Sequence, residues 1–396
     1  MTEKCYRLSE YNRLANVPLD LVDATVLTEN FPKRLEVTPV FGKQDLYNLQ
    51  SYNYVGVIAL PNSSCVIEPK TPINNLTHLL VTVYDLIHWQ QAYAICTQVE
   101  QWCELIVAAL LDTVEELLRG GLRQGYSEVN ENITGVKGRL DLVRQLGENL
   151  GRLDRHRCTY QEFSPDTIEN CLIKTALDQV LFMPFVNPDL SRRLMRAQAG
   201  LAAVKSGEPR DFNFDNLSFT RLNEHYRKPL ALARLVLELT APAFNSAASN
   251  GLRCVPAFLV DMNRLFERYI ATQLIRRAGP QANLIVRYQA HDHLDLDARV
   301  AIIPDLLVLQ NNQPIAIIDT KYKIDDRAAD YYQMVAYCVA LGVPRAVLVY
   351  PAWEGDPRPA IAVRNSPIII ESAPIRLNGS IEQLDQDIDT LLSLIC

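Results

Sequence analysis

No stretch of this sequence approaches the ~18–20 consecutive apolar residues that cross a bilayer. Its N-terminus, MTEKCYRLSEYN, carries no apolar segment of the kind that marks a secretory signal. A cytoplasmic chain with no membrane partner is therefore expected. Positive charge is also short: 39 Lys and Arg stand against 46 Asp and Glu, a formal net charge of -7. That balance argues against strong unaided binding to nucleic acid, whose phosphates call for a basic surface, so any such grip is expected to come from a partner. The nine cysteines, at positions 5, 65, 96, 103, 158, 171, 254, 338 and 396, are odd in number and never spaced CxxC. Neither a disulfide framework nor a zinc knuckle is indicated, and most should be small buried hydrophobes. GxxxxGK[ST] is missing, which excludes nucleotide hydrolysis by a P-loop of its own, and G-x-S-x-G and papain-type cysteine signatures are missing too.

What is present is ordinary globular material: 396 residues, 48% hydrophobic and 21% charged, enough for two or three cores. Residues 52–67 alternate apolar runs (YVGVIAL, CVIEP) with the turn PNSS, which predicts a hairpin in a β-rich N-terminal region, residues 1–75. From Leu76 to Leu118 the spacing becomes helical and stops at Gly120-Gly121. GVKGRLDLVRQL follows, and Thr167 to Phe185 again has helical periodicity, making residues 76–245 a mainly helical middle region. Asn187 to Arg234 concentrates basic residues (Arg192, Arg193, Arg196, Lys205, Arg210, Arg221, Arg227, Lys228, Arg234), read as a solvated helix face in preference to a DNA-contacting surface. NSAASNG, Asn245 to Gly251, is a plausible linker. Residues 246–396 then read as helix (Phe258–Arg277), strands (Leu284–Gln289, Ile302–Gln310, Ile315–Asp319), helix (Arg327–Leu341) and strand (Ala346–Tyr350). The predicted class is mixed α/β, with an αβββαβ core in this last domain.

Chemistry concentrates in two of those strands, IIPDLLVLQ and IAIIDTKYK, joined by the turn signal Asn311-Asn312-Gln313-Pro314. Asp305 and Asp319 are 319 - 305 = 14 positions apart with their midpoint at Asn312, so a hairpin centred there opposes the two carboxylates. Strand alternation puts Asp319 and Lys321 on one face and Thr320 on the other. Two facing acids among apolar residues repel and lose hydration, a conflict that a divalent cation removes. Mg²⁺, with Mn²⁺ as an alternative, suits two carboxylates, the Thr320 carbonyl and a substrate phosphate. Lys321 would orient the attacking water or stabilise charge in the transition state. Glu267, in the preceding helix, could add a carboxylate; Gln333 and Tyr337, i and i+4 in the following helix, could point at the same site. A surface salt bridge is the competing role for Glu267, and plain packing for the Gln333/Tyr337 pair. His291 and His293 flank Asp292 without a third ligand in register and read as a polar loop. The constellation as a whole is that of a PD-(D/E)xK nuclease.

The motifs GVIALPNSSCVIEPK, GLRQGY, VKGRLD, DMNRLFERYI, PDLLVL and IIDTKYK together resemble the McrC family, the nuclease subunit of McrBC modification-dependent restriction systems. The resemblance places the family's catalytic acids on Asp305 and Asp319 and its lysine on Lys321. Gln333 and Tyr337 are similar to the QxxxY pattern of RecB-like nucleases. It further implies a GTP-hydrolysing AAA+ hexamer of the McrB type as partner, bound through the N-terminal part. That ring's GTPase would be stimulated by this chain and would consume GTP that the chain itself does not bind. Double-stranded DNA carrying 5-methylcytosine is the implied substrate, and antiviral defence the implied setting. Arg139 in VKGRLD is a candidate ring contact, with a turn-capping role as the alternative. Two other readings remain open: a non-cutting adaptor that activates the ring, and a stand-alone RecB-like nuclease with its own basic groove.

Overall fold

The computed structural model describes residues 4–43, 45–86, 98–152, 154–181, 183, 187–207, 214, 217–240, 256–279, 283–323, 328–352 and 358–395. It divides into two compact units, one of Met1–Trp102 with Phe258–Cys396 and one of Cys103–Ala257. The grouping does not follow the three consecutive segments expected from sequence, because N-terminal and C-terminal strands enter one unit.

The first stretch of that unit contains β1 (Lys4–Ser9), β2 (Arg13–Pro18), α1 (Leu21–Asn30), β3 (Leu35–Pro39), β4 (Leu46–Ser51), β5 (Tyr54–Ala59), β6 (Ser63–Glu68) and α2 (Ile73–Val83). The predicted hairpin is β5 and β6, antiparallel with Gly56 opposite Ile67, and β1 lies parallel to β6. A separate antiparallel sheet has the order β2-β4-β3. Asp20 caps α1 by accepting from the Asp23 N–H at 2.8 Å.

The second unit takes in most of α3 (Val99–Gly120), then β7 (Gly125–Ile133), β8 (Arg139–Leu140), α4 (Leu142–Glu148), β9 (His156–Ser164), α5 (Ile168–Val180), α6 (Pro188–Gly200) and α7 (Arg227–Leu239). The expected helices are present, α5 ending at Val180, but an antiparallel sheet of order β7-β9-β8 was not expected. GYSEVNENI and HRCTYQEFS bury only Val129 and Cys158, so little apolar alternation reveals them. The basic stretch behaves as a solvated face: Arg193 pairs with Asp112 and Glu115, Arg192 with Asp189, Arg227 with Glu224 and Arg234 with Glu238. Arg210 and the NSAASNG segment lie outside the described residues.

The chain returns to the first unit with β10 (Ala257–Asp261), α8 (Met262–Ala278), β11 (Leu284–Tyr288), β12 (Asp292–His293), β13 (Ala301–Ile302), β14 (Leu306–Gln310), β15 (Gln313–Thr320), α9 (Ala328–Leu341), β16 (Arg345–Pro351), β17 (Ile361–Ala362), β18 (Ile369–Ile375) and α10 (Ile381–Ile395). A helix from Phe258 is thus corrected to a strand followed by a helix. Ala257–Val260 are buried residues beside β5 in the order β1-β6-β5-β10, and Asp261 is the helix N-cap, accepting from the Arg264 N–H. Gly56 makes that strand contact possible: with φ +148° it lies so close to β10 that an added Cβ would fall 1.8 Å from the Phe258 carbonyl oxygen.

The six-stranded sheet has the order β11-β14-β15-β16-β18-β17, antiparallel through the first three strands and parallel from β15 to β16 to β18. The αβββαβ order is therefore present in α8, β11, β14, β15, α9 and β16, and β17, β18 and α10 extend it. Strand β16 is buried along nearly its whole length and β15 from Ala316 to Asp319, as parallel strands covered on both faces must be.

Candidate active site

The site begins with the turn between β14 and β15. Asn311 and Asn312 have φ of 52° and 64°, the left-handed pair that a two-residue hairpin turn requires and that asparagine tolerates. Gln313 and Pro314 belong to the strand and not to the turn, contrary to the sequence expectation. A plain hairpin about this turn would oppose Asp305 to Ile318. Instead Val308 faces Ala316 while Leu309 faces Pro314, so Ile315 is an extra, bulged residue. Beyond it Leu306 faces Ile318, and the same register brings Asp305 opposite Asp319.

Asp319 is 2% exposed, and its Oδ2 is paired with the Lys321 ammonium. Burial raises its pKa, with Lys321 working in the other direction. Asp305 is pushed up from 3.8 to about 6 by burial and then by the charge of Asp319. Its Oδ2 accepts from both the N–H and the hydroxyl of Thr320, each at 2.7 Å. Thr320 was expected on the opposite face. Asp305 lies at a bend one residue before β14, so its carboxylate does not follow the strand pleat and reaches Thr320.

Burial pulls the Lys321 pKa down, but the Asp319 carboxylate outweighs this and leaves it above the ordinary value. The ammonium donates to Gln333 Oε1 at 3.1 Å; Gln333 Nε2 and Tyr337 Oη are 2.7 Å apart, and Tyr337 Oη is 3.4 Å from the Ile303 carbonyl. The i, i+4 pair on α9 is therefore a tether for the lysine. Glu267 accepts from Gln289 Nε2 at 3.0 Å, and burial followed by the charge of Asp305 raises its pKa.

Glu267, Asp305, Thr320 and Lys321 line one cleft of about 690 Å³ together with Tyr11, Lys33, Tyr52, Asn53, Asn263 and Lys323. Sequence reasoning missed Gln289 and everything contributed by the N-terminal strands, since no local signal connects residues hundreds of positions apart. Among the described residues no group of three or more His, Cys, Asp or Glu is placed to hold a metal ion. His293 is exposed on β12. What fits a divalent cation is the smaller set of Asp305 and Asp319, two facing carboxylates pushed above their ordinary range by burial.

A family described as McrBC 5-methylcytosine restriction system component matches residues 49–351. The chain belongs to the McrBC family. Within it the chain is of the McrC type. It is 21% identical to the type IV methyl-directed restriction enzyme EcoKMcrBC of Escherichia coli K12 over 264 residues, 64% of this chain and 74% of the relative. In fold it is similar to a structure refined as a half-complex from a tetradecameric assembly of Thermococcus gammatolerans McrB AAA+ hexamers with bound McrC. The TM-score is 0.59 at 18% identity, over 99% of this chain and 100% of that one. The family stretches quoted from sequence acquire structural reasons. In GLRQGY, Arg123 donates its N–H to Tyr226 Oη at 2.7 Å and pairs with the buried Glu169. In VKGRLD, Gly138 at φ 67° lies where a Cβ would fall 2.5 Å from the Thr159 carbonyl. Asp141, not Arg139, caps the following helix.

Proposed function

We propose that this chain is a metal-dependent DNA endonuclease with a PD-(D/E)xK core, acting as the cutting subunit of a GTP-dependent, modification-specific restriction complex. The observation that carries the reading is the end of the β14/β15 hairpin: two opposed carboxylates, Asp319 buried and Asp305 half-buried, beside an ammonium tethered by Gln333 and Tyr337. Asp305, Asp319 and the Thr320 carbonyl would hold Mg²⁺ or Mn²⁺, which when bound polarises the scissile phosphate and lowers the pKa of water. Asp305 and Asp319 set the charge that draws the cation. Lys321, protonated through its pairing with Asp319, presents positive charge to the phosphate and stabilises the charge that develops on it. Glu267, held by Gln289, stands in the same cleft as a base for the attacking water.

The partner in this reading is an AAA+ hexamer like the McrB rings that hold McrC in the similar structure. It supplies GTP hydrolysis and recognition of methylated DNA, and the N-terminal part of this chain supplies docking and stimulates the GTPase. Among the described residues no helix is long and apolar enough to cross a membrane. The test is cleavage of methylated and unmethylated plasmid with GTP and Mg²⁺, with and without the ring, with Asp319→Ala as control. Cutting that requires ring, GTP and Asp319 is expected. GTPase stimulation with no cutting would leave an adaptor, and cutting without the ring a stand-alone nuclease.

A further inference from the structure

The residue after the lysine, Tyr322, is 3% exposed and is gripped by two consecutive residues from the far end of the chain. Its hydroxyl donates to Glu10 Oε1 at 2.9 Å, and its main-chain carbonyl accepts from the Tyr11 hydroxyl at 2.8 Å. Glu10 is fully buried; the same Oε1 also accepts the Lys70 N–H at 2.8 Å, and Oε2 has no partner. Tyr11 has φ 58°, a left-handed conformation uncommon for a bulky residue, and its hydroxyl is 3.3 Å from Asn263 Oδ1 on α8. The Phe266 ring packs 5.8 Å from that of Tyr322.

We propose that Glu10 and Tyr11 are positioning residues that fix Lys321 through Tyr322, so that the strand end after β1 belongs to the active site. Around Lys321 the main chain is then held at each step. Its own N–H donates to the Val349 carbonyl at 2.8 Å, its carbonyl accepts from Lys323, and the next carbonyl is held by Tyr11. A buried acid with an unsatisfied oxygen is costly as packing alone. Both of these neighbours converge on one residue, the one that carries the lysine's main-chain direction. The functional half of the proposal rests on the nuclease reading above.

Tyr11→Phe and Tyr322→Phe each remove one oxygen and leave the ring packing in place. Each is measured in the full chain in two ways: amide exchange of residues 320–323 by the chain alone, and cleavage kinetics with the AAA+ ring, GTP and Mg²⁺. The expected result is faster exchange in that segment with the β5/β6 peptides unchanged, and kcat lowered by about fivefold or more at unchanged KM, the worth of one hydrogen bond. Unchanged exchange overturns the proposal whatever the cutting does. Faster exchange with full kcat, where Asp319→Ala abolishes cutting, overturns the positioning role and leaves the nuclease intact. If the unaltered chain does not cut, the nuclease reading falls and the catalytic half of this proposal with it, while exchange still reports whether the tie exists.

Discussion

Asp305 and Asp319 show how little a residue's identity says without its surroundings. Each is an ordinary aspartate made reluctant to ionise by burial, relieved at Asp305 first by the hydrogen bonds from Thr320 and at Asp319 by the Lys321 ammonium. Neutralising either acid should remove the cation's hold: Asp319→Asn or Asp305→Asn is expected to lower cleavage by the chain with its partner ring by ~10²–10³-fold or more, the scale of losing a group aimed at transition-state charge. Retention of more than half the activity by both variants would remove the site assignment. Gln333→Ala, which cuts the tether to Lys321, should cost less, about 10–100-fold, as loss of a supporting hydrogen bond does. The raised Asp305 pKa also has a sign. Between pH about 4 and about 6 the metal-free folded chain retains a proton that the unfolded chain has released, so its stability falls as pH rises through that window. A divalent cation competes with that proton. The rise in Tm on adding Mg²⁺ should therefore be small at pH 5 and larger at pH 7.5, and absent at both in Asp305→Asn; thermal melts over that range check it.

At the scale of elements, strand contacts that no local pattern announces decide where the acids stand. Gly56 is the clearest case, because β10 can pair with β5 only where there is no side chain. Gly56→Ala should destabilise the chain by about 2–5 kcal/mol, from overpacking against backbone and a φ that suits glycine, read by urea denaturation; a change under about 0.5 kcal/mol would mean that β10 does not pair there. The αβββαβ order was legible because its strands are short apolar runs bounded by turn residues, and because Gln333 and Tyr337 share a helix face. The Ile315 bulge was not legible, yet it keeps the midpoint at Asn312 and so preserves the opposition of the acids that symmetry suggested. The strand at 257–261 read as helix because PAFLVDMNRLF is continuously apolar enough for either, until Asp261 is seen as a cap. The antiparallel β7/β9 pair escaped because its faces are polar, and Glu10 and Tyr11 escaped because contacts across more than 300 residues leave no trace in spacing.

At the scale of the whole molecule, the net charge of -7 and a site built to handle a phosphodiester pull in opposite directions. Local charge narrows the gap in part: Lys33, Lys321 and Lys323 line the cleft, although Lys321 is paired with Asp319 and Lys323 with Asp330. Much of the other positive charge is already paired within its own unit, as Arg193, Arg227 and Arg234 show. Each phosphate that a protein neutralises releases condensed cations, and the slope of log affinity against log salt counts them at about 0.9 per contact on duplex DNA. A chain that borrows its grip from a ring should by itself bind duplex DNA weakly and with a slope of about -3 or shallower, the contribution of the cleft lysines alone. With the ring and a non-hydrolysed GTP analogue, the slope should steepen by several units. Fluorescence anisotropy on one duplex across a salt series measures both. If the isolated chain gave the steep slope, the grip would be its own, and the division of labour between a cutting subunit and a gripping ring would have to be abandoned for a nuclease that finds DNA unaided.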